Sequence, residues 1–425
     1  VFLLDIETAL PYYDESKTFT GYKAMADLLK IAAIFALILI LLRRKLPLGP
    51  VILLATVLLG ILSGFGLLTF FNVTVKALTD QATIMLLVFL YMVSILEKIE
   101  RESGKLDRLI LALERYVPGR RLRLIVMPAF LGFLASPGGA MFSAPFVEKA
   151  GEPLGLRGEE KTFINYWFRH IWEYSLPLYP ATILAATILN TSMRSLIEKM
   201  YFCTIAAILG GILFGLVPLR LKAKDENKEK PRGELRHLVM GIFPVAALLV
   251  MIIAFKVNMV LALLIVVIFE AVSTRVTLSA LFGFMKKSMG FDIFLAVVAI
   301  FIFKEALTQS TLATGVSSYF GELGIPVPLL FFILPFLVGF LTGVTMAPIG
   351  ITFPLLLSMA PMPGSLSLFC FGFSSAVLGV LLSPIHLCLI LTAQYFQVDF
   401  TRVYRYMILP ILFMLLCSIL LYIRW

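Results

Sequence analysis

Charge is scarce in this chain. Asp, Glu, Lys and Arg make up 15% of its 425 residues, while 60% are hydrophobic. Soluble domains carry nearer about 25% charged residues, so a water-soluble globule is excluded. Cysteine is scarce too. Cys203, Cys370, Cys388 and Cys417 each lie in an apolar segment, and none forms a CxxC pair. That excludes a disulfide framework and leaves small packing residues, with no metal site expected. Only three histidines are present, with no HExxH pair and no Ser–His arrangement of recognisable spacing, so an enzyme is not expected. No acidic cluster points to a dedicated divalent-cation site. Residues 1–26 hold Asp5, Glu7, Asp14 and Glu15 and have no basic n-region, so they do not read as a secretory signal.

What the chain does have is long apolar runs, with a mean hydropathy of +0.98. They fall at about 28–42, 48–71, 81–96, 124–147, 162–189, 201–219, 238–255, 259–274, 291–303, 327–357, 366–396 and 406–423. This is the pattern of a multi-pass membrane protein. The net charge of +10 does not indicate nucleic acid, because the basic residues sit in loops between the runs. Loops 43–45, 97–123, 148–161, 220–237, 275–290 and 397–405 hold 26 of the 36 Lys and Arg, and the alternate loops and ends hold 8. The positive-inside rule assigns the first set to the cytoplasm of a cell whose inner membrane the chain spans.

A parity argument follows. Loops 97–123 and 148–161 both read as cytoplasmic, and the run between them is too short for two spans of about 20 residues each. Run 124–147 is therefore expected to be a re-entrant hairpin turning at Ser136, Pro137, Gly138 and Gly139. Run 327–357 is expected to enter likewise from outside and turn at Thr342, Gly343, Val344 and Thr345. The expectation is an all-α fold of ten transmembrane helices and two hairpins, with both termini outside.

The two halves read as repeats. PAFLGFL begins at Pro128 and PFLVGFL at Pro335, and the same register pairs Pro177 with Pro384. Five spans per half is odd, so the second half, about 235–425, is inverted relative to the first, about 28–220. Inverted repeats with broken helices near the midplane are a transporter architecture. Segments 97–117 and 304–324 are expected to lie along the membrane surface.

Residues 162–189 carry the strongest chemical signal. Arg169, His170 and Glu173 precede Pro177 and Pro180 inside an apolar run. Intramembrane charge is costly and marks function by default, and proline breaks the helical ladder. Asn165, Arg169 and Glu173 share a helical face. Arg169 suits a bidentate anion, and His170 or Glu173 suits a coupling ion. His386 follows Pro384 in SPIH, the second break. Tyr174, Ser175 and Ser383 are expected as polar lining, with Gly343, Thr342 and Thr345 at the second tip. Glu270 and Glu305 fall near helix ends and are expected to snorkel to solvent.

The stretches SPGGAMFSAPFVEKAG, EEKTFINYWFRHIWEYSLPLYPATILAA and LVGFLTGVTMAPIGITFPLLL resemble domain-of-unknown-function family 401, over about residues 27–425. That integral membrane family is grouped with the ion transporter superfamily, which includes gluconate, citrate, dicarboxylate and arsenite permeases. The resemblance implies a homodimer with an elevator mechanism. Residues 27–96 and 238–303 would be scaffold, 97–123 and 304–326 arm helices, and 124–219 and 327–425 the moving transport domain. Sodium–dicarboxylate relatives carry Ser-Asn-Thr at each hairpin tip, where this chain has SPGG and TGVT. The expected function is secondary active transport of a small organic anion, with H⁺ or Na⁺ as coupling ion and no cofactor. Na⁺/H⁺ antiport and lipid handling are the alternatives.

Overall fold

In a bilayer, apolar runs satisfy their backbone polar groups by forming helices. The computed structural model of the chain has only helices as regular structure among its described residues. Those residues are 15–133, 140–219, 235–287 and 290–424, apart from 311, 313, 314, 316–319, 321, 322, 361 and 363. The first half runs through α1 (Glu15–Arg43), α2 (Leu48–Leu62), α3 (Leu67–Thr79), α4 (Gln81–Glu102), α5 (Lys105–Tyr116), α6 (Arg120–Leu131), α7 (Ala140–Gly151), α8 (Gly158–His170), α9 (Pro180–Ile188) and α10 (Met193–Gly210). The second half runs through α11 (Leu235–Ile253), α12 (Met259–Ser273), α13 (Leu278–Lys287), α14 (Phe291–Gln309), α15 (Val327–Thr342), α16 (Met346–Met359), α17 (Leu366–Leu381), α18 (Leu387–Tyr395) and α19 (Tyr404–Arg424).

Four described helical stretches are long and apolar enough to cross a membrane: Met25–Arg43, Gln81–Glu102, Met193–Leu216 and Tyr404–Arg424. Seven shorter apolar helices accompany them. The result is a multi-pass helical membrane protein. Its outward faces are apolar, as in Leu54, Ile61, Ile268 and Leu416, which are all exposed.

Boundaries differ from the sequence pattern at two glycines in the first half. Run 48–71 is two helices, because Gly64 turns the chain at φ +73° between α2 and α3. Segment 97–117 is also divided. α4 continues through Glu102, and Gly104 at φ +67° separates it from α5. Leu109 and Leu113 of α5, with Val117 just after it, then pack with Met127 and Leu131 of α6.

Several helix bounds share one offset. α9 covers Pro180–Ile188 and α18 covers Leu387–Tyr395, so both start and end 207 residues apart. The helical segments before them end at Tyr174 and Leu381, again 207 apart, and α6 and α15 begin at Arg120 and Val327 with that same spacing. Side-chain contacts follow. A Cβ on Gly132 would press on the carbonyl oxygen of Arg169, and a Cβ on Gly339 would lie 2.5 Å from that of Ala376. Each glycine lets its helix, α6 or α15, approach the backbone of the helix that leads into a break. α15 packs most extensively on α17, α6 packs on both α7 and α8, and α16 packs on α9.

One charge departs from expectation. Glu270 does not snorkel: its side chain is fully buried, and Lys105 Nζ donates to its Oε2 at 2.6 Å. Glu100 Oε1 lies 3.6 Å from the same ammonium. α12 therefore buries Glu270 where α4 and α5 can supply a partner. Glu305 is mostly covered and pairs with Lys76 across α3 and α14.

Candidate functional site

The first helix break is built from TFINYWFRHIWEYSLPLYP. α8 ends at His170 and tightens into a 3₁₀ turn, Ile171–Tyr174. Pro177 lies in the irregular backbone that follows, and Pro180 occupies the first turn of α9, where a missing N–H costs nothing. Asn165, Arg169, His170 and Glu173 are all buried. His170 Nδ1 lies 2.6 Å from the Tyr166 carbonyl oxygen. A carbonyl only accepts, so Nδ1 carries the hydrogen and the neutral ring turns a lone pair outward at Nε2. That nitrogen lies 3.7 Å from Glu173 Oε1.

The second break supplies the other side. α17 ends at Leu381, Ser383 and Pro384 fall in the break, and α18 begins after His386. His386 Nε2 lies 3.1 Å from His170 Nε2. By the tautomer above, His386 donates. Its Nδ1 is buried without a hydrogen-bond partner among the described residues. The second hairpin turns at Gly343, with φ +65°, between α15 and α16. A Cβ there would meet the His386 backbone at 3.0 Å. One residue on from Val344, Thr345 Oγ1 donates to Glu173 Oε2 at 2.5 Å. Two helix breaks and one hairpin turn thus converge on one buried polar cluster.

A family comparison matches residues 25–424 to "Protein of unknown function (DUF401)". The chain belongs to that family. Among curated proteins, none matches the chain significantly. Among solved structures, it is similar to the YdaH transporter of Alcanivorax borkumensis, whose crystal structure is described as revealing an unusual topology. The TM-score is 0.59 at 18% identity, covering 91% of this chain and 98% of that one. The likeness establishes a shared fold.

In this DUF401 chain the remaining candidate residues spread around the cluster. Arg169 Nη1 donates to the Leu131 carbonyl at 2.9 Å, which binds it to the end of α6. Ser136, Pro137, Gly138 and Gly139, the expected first tip, lie outside the described residues. Tyr174 is buried, and its hydroxyl has no hydrogen-bond partner among the described residues. Ser175 bonds Thr204 of α10 at 2.7 Å. Among the described residues, Thr342 Oγ1 reaches Val344 O, at 3.5 Å. Ser383 is buried and accepts from Ile385 N–H at 3.4 Å.

Further residues tie the site together. Asn165 Nδ2 donates to Ala140 O at 3.0 Å and to Thr392 Oγ1 at 3.2 Å, tying α7 and α18 to α8. Tyr166 OH donates to Leu381 O at 3.1 Å, linking one break to the other. Tyr179 OH donates to Gly132 O at 2.6 Å. Cys388 is the described thiol nearest the histidine pair in sequence: donor atoms of His170, His386 and Cys388 all lie within 4.8 Å of one another. His386 and Cys388 are only two residues apart, but His170 lies 216 residues from His386, which hides the group from spacing rules.

Proposed function

We propose that this protein is a secondary active transporter that moves a small organic anion of the carboxylate class across the cytoplasmic membrane, coupled to H⁺ or Na⁺. The observation that carries the reading is the junction of His386, His170, Glu173 and Thr345, contributed by both helix breaks and the second hairpin. Irregular backbone at membrane depth is tolerated where it lines a cavity or is buried in protein. A site made by two breaks is exposed to either side when the domain that carries both moves against the scaffold.

Charge balance supports coupling. Arg169 and Glu173 bring one charge of each sign to a low-dielectric bundle. An anion entering that balanced site is costly unless a cation enters with it. Arg169, beside the end of α6, and the half-helix starting after His386 would hold the anion. Glu173 would carry the coupling cation.

The repeated register supports an inverted-repeat elevator. In this reading α6–α10 and α15–α19 move as the transport domain, α1–α4 and α11–α14 form the scaffold, and α5 is an arm. A homodimer joined through the scaffold is part of the same reading. Na⁺/H⁺ exchange is the second reading, favoured by the bond that fixes Glu173 to Thr345. The test is a thermal-shift screen of purified protein against organic anions, with and without Na⁺ and across pH. Stabilisation by one carboxylate class, lost in Arg169→Ala, supports the anion transporter. Stabilisation by Na⁺ alone, lost in Glu173→Gln, replaces it with the exchanger.

A further inference from the structure

We infer that His170, His386, Cys388 and Glu173 form a binding site for one borderline-soft divalent cation of the zinc class, and that its occupancy bolts the two helix breaks together. The site differs from the anion site in its ligand, a metal cation held by imidazole, thiol and carboxylate donors rather than an organic anion.

The donor set argues for it first. Two imidazoles, a thiol and a carboxylate are the ligand types zinc takes. The donor atoms of His170, His386 and Cys388 fall within 4.8 Å of one another. Glu173 Oε1 lies 3.7 Å from His170 Nε2. Two nitrogens bound tetrahedrally at about 2.0–2.1 Å stand about 3.3 Å apart. The observed Nε2 separation is 3.1 Å, so a small outward shift admits the ion.

Orientation argues next. A metal-bound histidine typically donates its other ring N–H to a carbonyl or carboxylate, which fixes the tautomer. His170 does so to Tyr166 O, at 2.6 Å. His386 would surrender its Nε2 hydrogen and take one at Nδ1, which is buried and lacks a hydrogen-bond partner among the described residues.

Charge argues last. A divalent cation would enter with the Cys388 thiolate, which, beside a Glu173 carboxylate already opposed by buried Arg169, offsets part of its charge in a low-dielectric place. The ligands come in pairs from the two breaks: His170 and Glu173 flank the first, His386 and Cys388 the second. One ion therefore cross-links segments that lie 216 residues apart in the chain.

The test is metal titration of the detergent-purified, chelator-treated full chain, with Zn²⁺ and with Co²⁺ as probes. One Zn²⁺ per chain is expected, with a rise in melting temperature. Affinity should fall at least about tenfold in His386→Ala and in Cys388→Ser. Co²⁺ should give a thiolate charge-transfer band that is lost in Cys388→Ser and kept in Cys417→Ser, a signature that loss of packing would not mimic. Zn²⁺ binding unchanged in both site variants, or a Co²⁺ spectrum without the thiolate band, overturns the inference. These readouts use no organic anion, so they stand or fall apart from the anion reading.

Discussion

His170 and His386 face each other across 3.1 Å, nitrogen to nitrogen, although 216 residues separate them in the chain. Each sits at the edge of a helix break, so this one contact joins the two halves of the protein at its most irregular point. A double-mutant cycle on His170→Ala and His386→Ala should therefore be non-additive. The expected interaction is about 1 kcal/mol in thermal or denaturant stability. Strict additivity would show that the two rings do not share a bond.

Thr345 and Glu173 make the second bridge, at 2.5 Å. Thr345→Val removes the donor and leaves a buried carboxylate without that partner. The expected cost is about 2–3 kcal/mol, read as a lower melting temperature. Thr345→Ser, which keeps the hydroxyl, should recover most of it. Equal effects of Val and Ser would assign the loss to packing instead.

Gly132 and Gly339 are close-approach points of equivalent register. Gly132→Ala and Gly339→Ala should each destabilise by about 1–3 kcal/mol, because the methyl must push a backbone carbonyl away. Gly283→Ala is the control, since its added methyl meets nothing within 4 Å. Matching losses at Gly132 and Gly339, with none at Gly283, would be read by melting in detergent.

Lys105 holds Glu270 and approaches Glu100 inside the junction of α4, α5 and α12. Lys105→Met strands two buried carboxylates and should cost about 3–5 kcal/mol. Lys105→Met combined with Glu270→Met should recover a large part, because both members of the close pair are then apolar. A harmless Lys105→Met would mean that this joint is open to water.

Much of the architecture is legible in the sequence, for physical reasons. Pro177 and Pro384 lie beside intramembrane polar residues, so both breaks announce themselves, whereas Pro128 and Pro335 lie inside α6 and α15. Gly132 and Gly339 mark close packing because nothing larger fits there. What stays hidden depends on distant chain segments. Nothing local pairs Thr345 with Glu173 or Lys105 with Glu270. Glu270 reads as a snorkelling charge because its burial depends on an ammonium 165 residues away. The division of α2 from α3 at Gly64 is hidden as well, since the flanking residues stay apolar on both sides.

The central claim is that the junction of the two breaks carries an anion together with a cation. Its most direct test is uptake of labelled small carboxylates into proteoliposomes under imposed Na⁺ or pH gradients. The account predicts that one carboxylate class accumulates above its external concentration, that collapsing the driving gradient abolishes this, and that Arg169→Ala eliminates uptake. Entry no greater than in protein-free vesicles, or entry that only reaches equilibrium under every gradient, would contradict it.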